Sequence, residues 1–237
     1  MAADNPSMVR LTRRTTVAVV VFVLALLVCA AAYGDNYTYR RTRAGDAAAA
    51  SVTARKADFP AQLRLSGGRV KPDETPNNDS CNGYRPKEAD LVVVGDAESR
   101  FRDSAHSVVV DSQAALFQTT AMAAADVRRG ERMLAPACQP QEARQEHVKF
   151  VSYSLLGRPR CSCDFAISAM LEAKTPRPNL DELSIITAAR KGRFEALLVT
   201  SVGKPTNDPQ SAAVALRTAL AVQGLVVKAV FSRLHAT

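Results

Sequence analysis

Aromatic residues and histidine are scarce in this chain of 237 residues, which has no tryptophan, three histidines and only 5% aromatic residues. No dense block of lysine and arginine occurs, and aromatic residues are not interleaved with basic ones. Neither a phosphate-binding surface nor a stacking platform for single strands is therefore indicated. The net charge of +8 favours solubility or attraction to an anionic envelope surface, and we expect no nucleic-acid partner.

Motifs of catalysis and cofactor binding are also missing from the sequence. It contains no Gly-x-Ser-x-Gly, no Walker loop and no Gly-x-Gly-x-x-Gly. The three histidines, His106, His147 and His235, are scattered, and no second cysteine pair stands at zinc-finger spacing. We therefore expect neither an enzyme nor a cofactor or metal site.

One long hydrophobic run, Val17 to Tyr33, lies near the N-terminus. Residues 15–34 carry no charge, and at 1.5 Å per residue they would span about 30 Å as a helix, the thickness of a hydrocarbon core. Arg13 and Arg14 directly before the run are typical of a start that stays in the cytoplasm. We predict a single-pass signal anchor. Cleavage near Ala32, which would release a secreted protein, and lipid attachment at Cys29 are the alternatives.

The chain divides into four predicted parts. Residues 1–14 form a cytoplasmic N-terminus, residues 15–34 the transmembrane segment and residues 35–56 a polar juxtamembrane linker with an alanine run. Residues 57–237 form an extracytoplasmic domain. Within that domain, Ser66 to Glu88 is rich in proline, glycine and asparagine and is interpreted as a long loop.

The domain is predicted to belong to the α+β class, with an antiparallel sheet covered by two main helices and preceded by the N-terminal transmembrane helix. The first helix enters at Thr119 or Thr120 and stops near Pro136, and the second has Asp208 as N-cap and Pro209 in its first turn. Alternating or valine-rich runs predict the strands. These are Leu91–Val94, His106–Phe117, Val148–Leu156, Cys161–Leu171, Leu183–Arg190 and Arg193–Val202, the last two joined by a tight turn at Lys191-Gly192.

Four cysteines follow the hydrophobic run, and a translocated domain lies where disulfides can form. The preferred pair is Cys81 with Cys138, which would tie the long loop to the end of the first helix. Cys161 and Cys163 are in phase with the core face of a predicted strand and are interpreted as structural cysteines, buried or disulfide-bonded. A bond between these two would be strained, and pairing of either with Cys81 or Cys138 stays open, because four cysteines allow three connectivities.

Several stretches carry a resemblance to known proteins. Asp58-Phe59-Pro60, the run from Asp90 to Ser99 and the alanine-rich helix ending at Cys138 resemble an uncharacterised group of actinobacterial membrane-anchored or secreted proteins. More remotely, the strand order and the segment from Arg190 to Leu197 are similar to PsbP-like lipoproteins and to the extracellular sensor domains of actinobacterial Ser/Thr kinases. The resemblance implies a non-enzymatic domain that binds a ligand or partner, and it supports the pairing of Cys81 with Cys138. Cys161 and Cys163 depart from it.

Three hypotheses of function follow. The leading one is a membrane-anchored, extracytoplasmic, sensor-like module that binds an unknown envelope ligand or protein. The second is a thiol-dependent or metal-dependent envelope enzyme that uses Cys161 and Cys163. The third is an envelope scaffold protein, which would bind proteins and give no response to small molecules.

Overall fold

The computed structural model describes residues 37–61, 63, 65–72, 91–103, 107–133 and 149–237. The predicted transmembrane segment, residues 15–34, lies outside these residues, as do Cys29, Cys81, Cys138, His106 and His147. Everything stated below concerns the described part of the chain.

A mixed sheet of eight strands forms the centre of the domain, in the order β1-β3-β4-β8-β7-β6-β5, with β2 also paired to β3. Only β1 and β3 run parallel among the described pairs, and the others are antiparallel. The strands are β1 (Tyr37–Tyr39), β2 (Ser66–Val70), β3 (Leu91–Asp103), β4 (Val108–Phe117), β5 (Phe150–Gly157), β6 (Phe165–Lys174), β7 (Leu180–Lys191) and β8 (Phe194–Pro205).

Three α-helices accompany the sheet in the described residues: α1 (Arg43–Val52), α2 (Thr120–Met133) and α3 (Pro209–His235). Helices α1 and α3 share one face, because Val52 and Val226 belong to the same core cluster as Leu183 of β7. Helix α2 packs on the opposite face, where Ala123 lies in a cluster with Val93 and Phe117. Successive strand residues point to opposite faces, so one sheet supports both clusters.

The predicted fold class is therefore wrong in two respects. The sheet is mixed rather than antiparallel, since β1 pairs with β3 in parallel, and three helices rather than two main ones cover it. Both differences arise in residues 35–56, which were interpreted as a linker and which contribute β1 and α1 to the fold. The part of the loop at Ser66–Val70 is likewise a strand, paired with Glu98–Arg102 of β3.

Helix α1 lies against β3 through two glycines. The backbones approach so closely that a Cβ on Gly45 would lie 2.0 Å from the carbonyl oxygen of Val94, and one on Gly95 would lie 2.2 Å from the Gly45 carbonyl carbon. Thr42 caps the helix by accepting the Gly45 N–H at 2.9 Å. The lack of side chains at these two glycines thus allows a close contact between the backbones of α1 and β3, which hydrophobic periodicity does not predict.

Helix α3 begins as predicted, with Asp208 accepting the N–H of Gln210 at 3.0 Å and proline in the first turn. It is the one helix in the described part that is long and apolar enough to be a candidate membrane span, and it lies at the C-terminus rather than the N-terminus. One of its faces is buried against β7 and β8, as in the core helix of a globular domain, through Ala219, Val222, Gln223, Val226, Val230, Phe231 and Leu234. Evidence for membrane association within the described residues goes no further than this helix.

Candidate functional site

Cys161 and Cys163 form a disulfide with each other, with a Cα–Cα distance of 5.2 Å. They do not lie within a strand as predicted: β6 begins at Phe165, and the cysteines stand in the bend before it, half-buried against the main core cluster. The two cysteines, whose connectivity the sequence left open, are bonded to each other. Of the three connectivities of four cysteines, the observed bond is compatible only with the one that joins Cys81 to Cys138, which stays a prediction.

The bond between Cys161 and Cys163 does not link two different strands or helices. It closes a loop of sequence separation 2, which in the chain-entropy model contributes about 1.6 kcal/mol, whereas a loop of about 57 residues would contribute about 4 kcal/mol. As a structural cross-link, this bond therefore contributes less to the stability of the folded chain than a bond that closes a long loop.

Asp164 attaches the bend between β5 and β6, which contains the two cysteines, to the turn between β7 and β8. Its N–H donates to the carbonyl oxygen of Arg190 at 2.8 Å, and its carboxylate accepts the N–H of Gly192 at 2.8 Å. Arg190 and Lys191 lie 3.4 Å and 3.7 Å from the same carboxylate. Two cations at the turn between β7 and β8 thus have an acidic partner within the chain.

Three acidic side chains, Glu98, Asp111 and Glu182, lie buried on the sheet face that bears α2, and we call them the carboxylate cluster. Arg100 donates from Nη2 to Glu98 at 3.0 Å and from Nε to Asp111. Burial raises the pKa of Asp111, although the Arg100 guanidinium opposes this. Sequence reasoning missed the cluster, although the alternation of polar residues from Asp96 to Arg102 is a signal for a strand with one polar face.

Glu182 is the member of the carboxylate cluster whose negative charge is least stabilised by neighbouring groups. Its side chain is almost completely buried, and its Oε2 atom has no hydrogen-bond partner among the described residues. Burial raises the pKa of Glu182 to about 7, and the negative charge of Asp111 acts in the same direction, while hydrogen bonds from Ser201 and Ser184 oppose it. Near neutral pH this carboxyl group therefore exists in both protonation states.

Apart from the carboxylate cluster, a pair of acidic side chains joins α2 to β8. Glu195 is hydrogen bonded to Asp126, and burial raises the pKa of Glu195 to about 6 against the effects of that bond and of the Arg190 charge. The pair holds α2 on the sheet best when one carboxyl group carries a proton.

Strand β5 forms one end of the sheet and exposes three large apolar side chains. Val151 is 41% exposed, Leu155 58% and Leu156 46%. The register with β6 shifts on both sides of the segment Ser152–Leu155, as it does at β-bulges. We call Val151, Leu155 and Leu156 the edge surface. Edge strands normally carry charged residues or proline that discourage pairing, so an apolar edge indicates an interaction site.

The edge surface is flanked by exposed cations. Lys149 stands just before β5, and Arg158 and Arg160 follow it. Arg158 lies 3.6 Å from Glu131, and its guanidinium lies over the ring of Phe165 at 5.6 Å from the ring centre, while 75% of its side chain is exposed. The edge surface therefore lies in a region of positive electrostatic potential.

The three histidines were not predicted as site residues, and one of them lies in the described part of the chain. His235 is the exposed last residue of α3, and His106 and His147 lie outside the described residues. In the described ranges no three or more His, Cys, Asp or Glu side chains come together in a way that could hold a metal ion.

Comparison with solved structures finds structural likenesses, among them an uncharacterised mycobacterial protein. No family model and no curated protein matches the chain. An X-ray structure of a putative uncharacterized protein from Mycobacterium smegmatis is similar with a TM-score of 0.35 at 10% identity, covering 70% of this chain and 92% of that one. A similarity of this size carries no argument about fold or function.

Proposed function

We propose that this protein is a non-enzymatic binding module of the cell envelope, and that it binds an extended segment of a partner protein along strand β5. The observation that carries the proposal is the edge surface: Val151, Leu155 and Leu156 are exposed on a strand at the end of the sheet. Half of the six exposed large hydrophobic side chains in the described residues lie on this one strand of 8 residues.

The backbone of an edge strand supplies the affinity in such a complex. Its outward N–H and C=O groups pair with those of an added strand, and alternate side chains supply specificity. Leu155 lies in the regularly paired segment and Val151 lies directly before it, at the register shift, so a partner with apolar residues at both positions would cover both. The segment between the register shifts, Ser152–Leu155, is the part best suited to regular pairing.

The charges flanking the strand indicate the composition of the partner segment. Lys149, Arg158 and Arg160 favour acidic residues on either side of the apolar core of that segment. We therefore infer an extended peptide that alternates apolar residues and carries aspartate or glutamate at its ends.

The domain is proposed to work at a membrane and outside the cytoplasm. The uncharged run of residues 15–34 and its preceding arginines support this location, and a disulfide in the domain is typical of an oxidising compartment. Fractionation of cells, followed by protease treatment of intact cells, tests it. Protection of residues 57–237 from the protease in intact cells, with cleavage after lysis, would contradict an extracytoplasmic domain.

Peptide selection tests the binding function. Randomised unstructured peptides displayed on phage are selected on the purified chain, and the affinities of selected peptides are measured in solution. We expect enrichment of alternating apolar sequences with acidic ends, and a loss of about tenfold or more in affinity in Leu155→Lys, a difference of about 1.4 kcal/mol.

Leu220→Lys is the matched control, because Leu220 is a leucine of similar exposure, 45%, on the outer side of α3. A peptide with methylated backbone nitrogens at pairing positions should lose binding to the unmodified protein. Selection without enrichment, or affinities that Leu155→Lys and backbone methylation leave unchanged, would contradict the proposed strand addition.

A further inference from the structure

We propose that Cys161 and Cys163 form a reversible disulfide that exchanges electrons with a thiol of another molecule. The bond has a sequence separation of 2 and stands in the connection between β5 and β6, where it links no separate elements. A cross-link of this kind restricts the unfolded chain far less than one that closes a long loop. A reversible role accounts for the paired cysteines better than a structural one.

The partial exposure of both cysteine residues supports exchange. Both cysteines are partly exposed, and Ser162 between them is fully exposed. An attacking thiolate must approach the disulfide from solvent, which a bond sealed in the core would prevent. The half-buried position leaves that approach open while the core still supports the bend.

The surrounding charges favour a thiolate at this position. Arg160 directly precedes the pair, and Arg190 and Lys191 are held at the bend by Asp164, whose single negative charge they outnumber. Positive charge near a cysteine stabilises its thiolate, which is both the leaving group during reduction and the nucleophile during reoxidation.

The bend itself does not depend on the disulfide. Two hydrogen bonds hold it, from the Asp164 N–H to the carbonyl oxygen of Arg190 and from the Gly192 N–H to the Asp164 carboxylate, both at 2.8 Å. These contacts involve neither sulfur atom. After reduction the two thiols therefore stay close, and the bond can form again without a large conformational change.

The exchange proceeds in two displacements. A thiolate of the co-reactant attacks one sulfur atom, the bond between Cys161 and Cys163 breaks, and the other cysteine leaves as a thiolate that takes a proton from solvent. A second thiol of the co-reactant then displaces the first cysteine from the mixed disulfide. Cys161 and Cys163 gain two electrons and two protons, and the co-reactant is oxidised to its disulfide.

A redox titration of the full chain in detergent tests the proposal. The protein is equilibrated without denaturant in mixtures of reduced and oxidised glutathione, quenched with acid, alkylated and digested with trypsin. Trypsin cleaves after Arg160 and Lys174, so the peptide 161–174 carries both cysteines and none of the other three. We expect more than half of this peptide to become doubly alkylated in millimolar reduced glutathione and to return to the disulfide in oxidised glutathione.

Single-cysteine variants identify the intermediate. Cys161→Ser or Cys163→Ser should trap one glutathione on the remaining thiol, and Ser162→Ala should titrate as the unmodified protein does. A parallel titration with reduced thioredoxin distinguishes a protein dithiol from a small thiol as the co-reactant, and reduction by either supports the proposal. A pair that stays oxidised until the chain is denatured, or that stays reduced in oxidised glutathione, would overturn it, as would failure of both variants to trap glutathione.

Discussion

Replacing Glu182 by glutamine should stabilise the protein at alkaline pH and leave it nearly unchanged at acidic pH. The substitution keeps the size of the side chain but removes its ability to ionise. Glu182 is 2% exposed, and its Oε2 atom has no hydrogen-bond partner among the described residues, so its negative charge is poorly solvated in the folded state. In the unfolded chain the same charge is hydrated.

The size of the effect follows from the pKa of Glu182. Burial, together with the Asp111 charge, raises this pKa from its ordinary value of 4.5 to about 7. At 1.36 kcal/mol per pKa unit, the increase corresponds to about 3 kcal/mol of folding free energy. Because the folded-state pKa is the higher one, this stability is fully present below pH 4.5 and is lost as the pH rises through 7.

Urea unfolding of the full chain in detergent, followed by circular dichroism from pH 4.5 to pH 8, measures the difference. We expect Glu182→Gln to exceed the unmodified protein by about 3 kcal/mol at pH 8, equivalent to about 6 to 12 °C in Tm for a chain of this size. Glu131→Gln, at a partly exposed glutamate of α2, is the control for loss of one negative charge. The reasoning is refuted by a Glu182→Gln variant that is no more stable at pH 8, or by parallel pH profiles of the two proteins.

Two further substitutions test the packing and the ion pairs around α1 and α3. Gly45→Ala should cost on the order of 3 kcal/mol, because the added Cβ would meet the Val94 carbonyl oxygen at 2.0 Å, whereas Gly68→Ala, with no atom within 4 Å of its Cβ, should fold as well as the unmodified protein in urea unfolding. Arg233→Ala should cost about 2 kcal/mol at pH 7, since it removes two hydrogen bonds to Asp58 of 2.9 Å and 2.7 Å. Burial tends to raise the Asp58 pKa, but Arg233, together with the backbone N–H of Arg55, lowers it overall, so the loss should diminish as the pH falls below 3.8 in the same assay. An equal loss for both glycine variants, or an Arg233→Ala cost that is the same at pH 2 as at pH 7, would contradict these accounts; the hydrogen bond from Arg233 to the Thr53 carbonyl oxygen, at 3.0 Å, does not depend on pH.

Local signals predicted the elements whose determinants are neighbours in sequence. Helix α2 begins at Thr120, with the Thr119 hydroxyl accepting the Met122 N–H at 3.2 Å, as its threonines indicated. The hairpin of β7 and β8 was also confirmed, with its turn at Gly192 and Arg193, one residue later than predicted, and Gly192 at a φ of 56°. A cap or a tight turn depends on a few adjacent residues, and these can be identified without the fold.

Other elements could not be predicted, because their determinants lie far apart in sequence. Helix α1 was interpreted as part of a linker, since its alanines do not show which face is buried. That face is fixed by contact of Gly45 with a strand about fifty residues later. The parallel pairing of β1 with β3 likewise joins segments that are more than fifty residues apart in sequence. Cys161 and Cys163 continue the alternation of β6, but pairing with the neighbouring strand begins only at Phe165.

The sequence alone therefore determined the pattern of local elements, the absence of catalytic motifs and the prediction of a hydrophobic N-terminal segment, all of which depend on composition, spacing and short-range hydrogen bonding. Only the tertiary structure decided which segments pair, which cysteines meet and which charges are removed from water. The carboxylate cluster exists because strands distant in sequence lie side by side. The edge surface exists because β5 lies at the end of the sheet. Burial and neighbourhood are properties of the whole fold, so the pKa of Glu182 and the exposure of Leu155 follow from the tertiary structure.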